Sequence, residues 1–188
     1  MDRALAIGAH GLAGKSFFFD SAVALVGSLF PYIFVIASCA AFFIVSRRSA
    51  DTAFRRRAWF LHRLFAATVG LLASLGIVIP LTRLFYAPVR PFVAFGWKPL
   101  IAVPESVPSF PSGHATAFFF LAALLYQSDR KKGAWALAGA VAISLARVMA
   151  GIHFPGDIFW GALLGLSAAA FVGKFLPPLR ASERSGIY

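Results

Sequence analysis

The chain has 188 residues, of which 60% are hydrophobic and 15% aromatic, with a mean hydropathy of +0.79. Such a composition excludes a disordered chain and is too apolar for an ordinary soluble domain, so it points to a single-domain integral membrane protein. Lys and Arg number 18 against 7 acidic residues, a formal charge of +11, but these cations sit between long apolar runs, where membrane topology and anionic lipid headgroups account for them and nucleic acid does not.

Residues 1–19, with Asp2, His10 and Lys15, lack the compact apolar segment and small-residue cleavage site of a signal peptide, and are expected to form an interfacial segment leading into the first span. Residues 22–45 are long enough to cross a bilayer, which takes about 20 residues, and Pro31 is expected to kink them. Cys39 lies in this run and reads as an inert, buried thiol. A basic stretch follows, carrying Arg47, Arg48, Arg55, Arg56 and Arg57, with Arg63 just beyond. Residues 64–81 form the core of a second span. Residues 82–111 read as a proline-rich loop whose aromatics suit the headgroup level. Residues 116–126, completed by 112–115, make a third span, and Arg130, Lys131 and Lys132 follow it. Residues 134–151 are a fourth span, 152–156 a tight loop, and 158–176 a fifth, ended by Pro177 and Pro178. The expected fold is therefore all-α: about five transmembrane helices in a bundle, an interfacial N-terminal segment and a helical or irregular loop on one face. All of it forms one domain over residues 1–188, with residues 177–188 (Arg180 and Arg184 among them) as a cytoplasmic tail.

If five spans alternate, the loop at 46–57, the loop at 127–133 and the tail share one side. Their cations make that side cytoplasmic. The opposite side receives residues 82–114 and 147–157. Two stretches far apart in sequence thus meet at one membrane face, independently of any motif.

Three polar clusters reach that face. The first is Arg83 with Arg90 and Pro91. The second is Ser112-Gly113-His114, a turn that opens a helix whose first N–H groups lack intrahelical partners and favour an anion. The third is Arg147, His153 and Asp157. Each has a plainer reading. Arg83 and Arg90 stand where anchoring cations are common, Arg147 could snorkel, and a His with an acid four residues later could cap a helix. Glu105 reads as a solvated loop carboxylate. Yet a charge within a span, such as Arg147, normally faces a cavity or a partner, and a guanidinium matches phosphate oxygens. A carboxylate beside an imidazole fixes its tautomer and makes it a better nucleophile or base. Fixed cations, backbone donors, a nucleophile and an acid on one face are what phosphate chemistry uses, and there is no cysteine–histidine cluster of zinc type.

The pattern Arg83-x6-Arg90-Pro91, Pro111-Ser112-Gly113-His114 and Arg147-x5-His153-x3-Asp157 resembles the three signatures of the type 2 phosphatidic acid phosphatase superfamily, in order and spacing. Two positions depart from it: Arg83 stands where Lys is usual, and Ala146 where a Ser commonly precedes the motif Arg. The resemblance implies a membrane lipid phosphatase that needs no metal or other cofactor. His153 would attack phosphorus and form a phosphohistidine, Asp157 would orient His153, and His114 would protonate the leaving oxygen. Arg83, Arg90, Arg147, the Ser112 side chain and the Gly113 N–H would bind the phosphoryl oxygens. The compact chain is similar to bacterial undecaprenyl-diphosphate phosphatases, which implies hydrolysis of undecaprenyl diphosphate at the outer face of a bacterial inner membrane. Phosphatidylglycerophosphate, phosphatidate and a lipid A phosphate are the alternative substrates. A non-catalytic lipid-phosphate-binding or transport protein is the alternative class. The expected partners are the bilayer and its lipid substrate, with the oligomeric state left open.

Overall fold

A computed structural model describes residues 2–49 and 52–176, and among these there is no strand. The predicted tail, including Arg180 and Arg184, lies outside the described residues. The helices are α1 (Asp2–His10), α2 (Phe17–Ser28), α3 (Phe30–Ser49), α4 (Ala53–Ala73), a π-helical turn (Ser74–Val78), α5 (Ile79–Phe85), α6 (Pro91–Phe95), α7 (Gly113–Tyr126), α8 (Arg130–Met149) and α9 (Pro155–Phe175). Four stretches are long and apolar enough to cross a bilayer: Phe30–Arg48, Ala53–Phe85, Arg130–Met149 and Pro155–Phe175. Two shorter apolar helices, Phe17–Ser28 and Gly113–Tyr126, join them. The protein is a multi-pass, all-helical membrane protein.

The structure departs from the expectations in three places, each with a local cause. The first span is broken at Leu29. Pro31 has no N–H to give to the carbonyl of Gly27, and Tyr32 turns its N–H to Leu29 (3.1 Å), which also accepts the ordinary helical bond from Ile33 (3.4 Å). The second span is longer than 64–81. α4, the π turn and α5 run on as 33 apolar-rich residues. Thr52 caps the start, accepting from the Arg55 N–H at 3.2 Å. The π turn immediately before Pro80 absorbs the hydrogen bond that this proline cannot make. Arg83 accordingly lies on a helix, not in a loop, and α6 gives the following loop a helical turn. The third correction is Cys39, which is exposed. In a bilayer the outward face of a helix is apolar too, so position in an apolar run does not mean burial in protein.

α7 is the central helix. Phe120, Leu124 and Leu125 pack with Phe42 and Val45 of α3, Trp59 of α4 and Ala169 of α9 toward the end that carries the α3–α4 and α7–α8 turns. At the other end Val23, Phe92, Ala146, Ala150 and Ile152 form a second core. The closest approach is between α7 and α9. A Cβ on Gly161 would sit 2.6 Å from the Ser112 carbonyl oxygen, and one on Gly165 would overlap the Thr116 carbonyl oxygen. Ala169 is fully buried four residues later. This every-fourth-residue stripe of small side chains lets two membrane helices touch backbone to backbone.

The arginines of 47–57 and the cations of 130–132 lie at the bundle end of the α3–α4 and α7–α8 turns. Arg63 is buried there, donating to the Leu124 carbonyl at 2.8 Å and toward that of Leu176 at 3.4 Å. It satisfies carbonyls at the C-terminal ends of α7 and α9, which have no helical donors.

Candidate active site

The C-terminus of α8, the N-termini of α7 and α9, and the end of α5 meet at the opposite end of the bundle. α8 stops in a left-handed glycine motif. The Gly151 N–H donates to Val148 (3.0 Å) and the Ile152 N–H to Arg147 (3.2 Å), with Gly151 at φ +76°. Ile152 is fully buried against Ala146 and Ala150, and this anchors the short loop that carries His153. α9 then begins with Pro155, whose fixed φ suits a first helical position. Asp157 sits in its first turn, where its Oδ2 accepts the Phe154 N–H at 2.7 Å.

That oxygen is also 3.5 Å from His153 Nδ1. The separation is long for a hydrogen bond, and it leaves His153 Nδ1 without a partner in the resting geometry. Catalytic pairs are often loose before substrate binds. His153 is 2% and Asp157 3% exposed. His153 Nε2 faces the other way, 3.5 Å from Arg90 Nη1. Arg90, the residue before α6, is itself buried. Its Nε donates to Val107 (2.9 Å) and its Nη1 to Ile152 (2.8 Å), so the guanidinium ties the proline-rich loop to the His153 loop. Burial, and then the charges of Arg147 and Arg90, push the His153 imidazole down to about 4 against the opposing effect of Asp157. At neutral pH the ring is uncharged, and its Nε2 faces the Arg90 Nη1 donor.

Ser112 is fully buried and caps α7. Its Oγ accepts from the Ala115 N–H at 3.4 Å, which leaves the hydroxyl proton free to donate elsewhere. Its N–H donates to the Asp157 carbonyl at 3.1 Å. Gly113 has ordinary helical backbone and room for a Cβ, with Ile79 and Leu75 side chains 3.8 Å away. No backbone strain requires glycine there. His114 stands edge-on to Phe118, within electrostatic reach of Arg147, His153 and Arg90. Arg147 is 5% exposed and donates from Nη1 to the Gly27 carbonyl at 3.0 Å. Its Nε is buried with no partner. Arg83 is half-buried and donates from Nε to the Phe110 carbonyl at 3.1 Å, while Arg90 lies within reach of its charge.

All eight residues singled out in the sequence thus lie at one end of the bundle. Glu105 is exposed. Among the described residues, no three His, Cys, Asp or Glu side chains are grouped as metal ligands. Sequence reasoning did not find α1's place. Asp2 accepts from the Gly156 N–H (2.9 Å) and His10 Nδ1 is 2.9 Å from the Met149 carbonyl, so the two ends of α1 hold α9 and α8 on either side of the His153 loop. The His10 ring stacks on Trp97 at 4.4 Å. A capping-type Asp followed eight residues later by a His carries no sequence signal for this arrangement.

The PAP2 superfamily family model matches residues 63–180. The chain is 39% identical over 71 residues to the bacitracin transport permease protein BcrC of Bacillus licheniformis, a stretch covering 38% of this chain and 35% of that protein. It is 37% identical over 75 residues to phosphatidylglycerophosphatase B of Bacillus subtilis (strain 168), covering 34% of this chain and 37% of that protein. The matches therefore span little more than a third of each relative's length. A crystal structure of a PAP2-type phosphatidylglycerolphosphate phosphatase from Bacillus subtilis superposes with a TM-score of 0.65 over 97% of this chain and 87% of its own, at 22% identity, a likeness of fold.

Proposed function

The chain belongs to the PAP2 superfamily, and we propose that it is a lipid phosphatase that works through a phosphohistidine on His153. One arrangement carries this reading. A buried, uncharged imidazole has Asp157 behind its Nδ1 and the Arg90 guanidinium in front of its Nε2. Binding alone would need the cations but not the imidazole–carboxylate pair.

In this reading Nε2 of His153 attacks phosphorus and a P–N bond forms. Asp157 stabilises the cation that develops on the ring. Arg90, Arg147 and Arg83, the Ser112 hydroxyl and the first N–H groups of α7 bind the phosphoryl oxygens as charge builds on them. His114 protonates the leaving oxygen, whose bond to phosphorus breaks. It then takes a proton from the water that attacks the phosphohistidine, releasing inorganic phosphate and restoring His153.

The substrate we assign is undecaprenyl diphosphate, cleaved to undecaprenyl phosphate. Its tail stays in lipid while the diphosphate enters the cationic end of the bundle. Phosphatidylglycerophosphate is the second reading, favoured by the names of one curated relative and the solved neighbour. The cations at the opposite end support, by the positive-inside rule, a site on the outer face of a bacterial inner membrane. The whole of residues 1–188 would act as one membrane-embedded domain, with α1 at the interface.

The test is phosphate release in detergent from undecaprenyl diphosphate, phosphatidylglycerophosphate, phosphatidate and a lipid A phosphate, with and without EDTA. Turnover that resists EDTA and is fastest on undecaprenyl diphosphate is expected. Faster turnover of phosphatidylglycerophosphate would move the assignment to the second reading. Binding without turnover of any lipid would leave a non-catalytic or transport protein.

A further inference from the structure

A proline within a helix leaves the carbonyl four residues earlier without its donor, and in a membrane a neighbouring group must supply one. Pro31 does this to Gly27, and the donor is Arg147. The approach is possible because Gly27 has no side chain. A Cβ there would lie 3.7 Å from that of Ala146 and would overlap Ile101 Cδ1. Gly27 is buried, while Ser28, the next residue along the break, is exposed. The freed carbonyl of Gly27 is therefore the one turned inward, onto α8.

We propose that Gly27 and Pro31 form a positioning device for Arg147, an inference that rests on the phosphate-site reading above. One Nη1 bond to a backbone carbonyl tethers one arm of the guanidinium. Its Nε, buried and without a partner, and its Nη2 edge are then left to bind phosphoryl oxygens. A guanidinium offers five donors in a rigid fork, so anchoring one arm aims the others. Ala146 cannot help orient its neighbour by hydrogen bonding; with Ile101 it packs on Gly27. Pro31 and Gly27 act through Arg147 and touch no substrate.

The experiment is a double-mutant cycle on the full chain in detergent, reading the dissociation constant of inorganic phosphate by calorimetry, with thermal midpoints recorded alongside. Pro31→Ala returns an N–H that competes for the Gly27 carbonyl and lets the helix straighten. The expected result is phosphate binding weakened about five- to tenfold, the scale of one ordinary hydrogen bond. In an Arg147→Ala background the same change should have no further effect. Gly27→Val, which keeps Pro31 but drives a side chain into Ile101 and crowds the Gly27–Arg147 contact, should weaken phosphate binding similarly and serves if Pro31→Ala does not fold. Phosphate binding within about twofold of wild type in the folded variant, whatever its thermal midpoint, would overturn the inference, as would additive effects of Pro31→Ala and Arg147→Ala. Wild-type protein that binds no phosphate at all would remove the phosphate-site reading and this inference together, whereas normal wild-type binding with an unaffected variant removes the inference alone.

Discussion

The backbone N–H of Ser112 donates to the carbonyl of Asp157 at 3.1 Å. This single bond joins the N-terminus of α7 to the first turn of α9, and so joins the turn proposed to cradle phosphate to the carboxylate residue beside His153. It exists because Gly161, one turn further along α9, brings the two backbones together at the Ser112 carbonyl.

Gly165→Leu should therefore damage the protein beyond its own position. Its side chain would meet the Thr116 carbonyl and the Phe120 backbone, forcing α7 and α9 apart. A destabilisation of about 1–3 kcal/mol is expected from overpacking, with activity per folded molecule also reduced. Thermal unfolding and turnover in the same detergent check both.

Asp157→Asn separates orientation from capping. An amide oxygen can still accept the Phe154 N–H, so the thermal midpoint should fall only slightly. The imidazolium that forms on attack loses its counter-charge, and kcat should fall at least about 100-fold. An unchanged kcat would deny Asp157 its role.

The pH dependence has a definite sign. The His153 imidazole is lowered to about 4 when folded, against about 6.5 in an unfolded chain. The unfolded state thus binds the proton more readily. Stability from keeping the ring neutral is fully present above about 6.5 and is lost progressively as pH falls through that value to about 4. The acid limb of kcat/KM should be centred near 4. A limb assigned to His153 by its loss in a variant, but centred near 6.5, would contradict the buried neutral ring.

The buried arginines should divide by location. Arg63→Met removes a donor from the Leu124 and Leu176 carbonyls, far from the site, and should lower stability by about 1–3 kcal/mol while turnover per folded molecule stays within about twofold. Arg90→Met should abolish turnover, since it strips the guanidinium from in front of His153 Nε2. Equal activity losses from the two would erase the distinction between the two ends of the bundle.

Gly113→Ala tests the cradle. The position has room for a methyl and ordinary backbone, and Ala favours helix over Gly by about 1 kcal/mol, so stability should hold or rise. A substantial rise in KM would then report close approach of the phosphoryl group to the α7 N-terminus, and an unchanged KM would place that group elsewhere.

Much of the site was legible in the sequence because charge in an apolar chain is costly and so conspicuous. Arg147 inside a span, and His153 with Asp157 at a helix start after Pro155, stood out for that reason, and alternating spans put them at the end opposite the Arg- and Lys-rich turns. What escaped was carried by backbone. The Gly27 carbonyl that holds Arg147 has no side-chain signature, although Pro31 marked the break that frees it. The Gly161, Gly165 and Ala169 stripe has a readable four-residue spacing, but the sequence does not say which helix it meets. Cys39 was misplaced because a lipid-facing residue and a core residue look alike in composition. The clasp of α1 on α8 and α9 depends on two short polar contacts at its ends, which no periodicity announces.

The central claim is most directly tested by quenching the enzyme during turnover of undecaprenyl diphosphate and locating the phosphoryl group by peptide mass spectrometry under conditions that preserve phosphohistidine. The account predicts an adduct on His153, formed at the rate of turnover and absent from the His153→Ala variant, which should also be inactive. Full turnover by that variant, or a phosphoryl adduct on another residue with His153 unmodified, would contradict it.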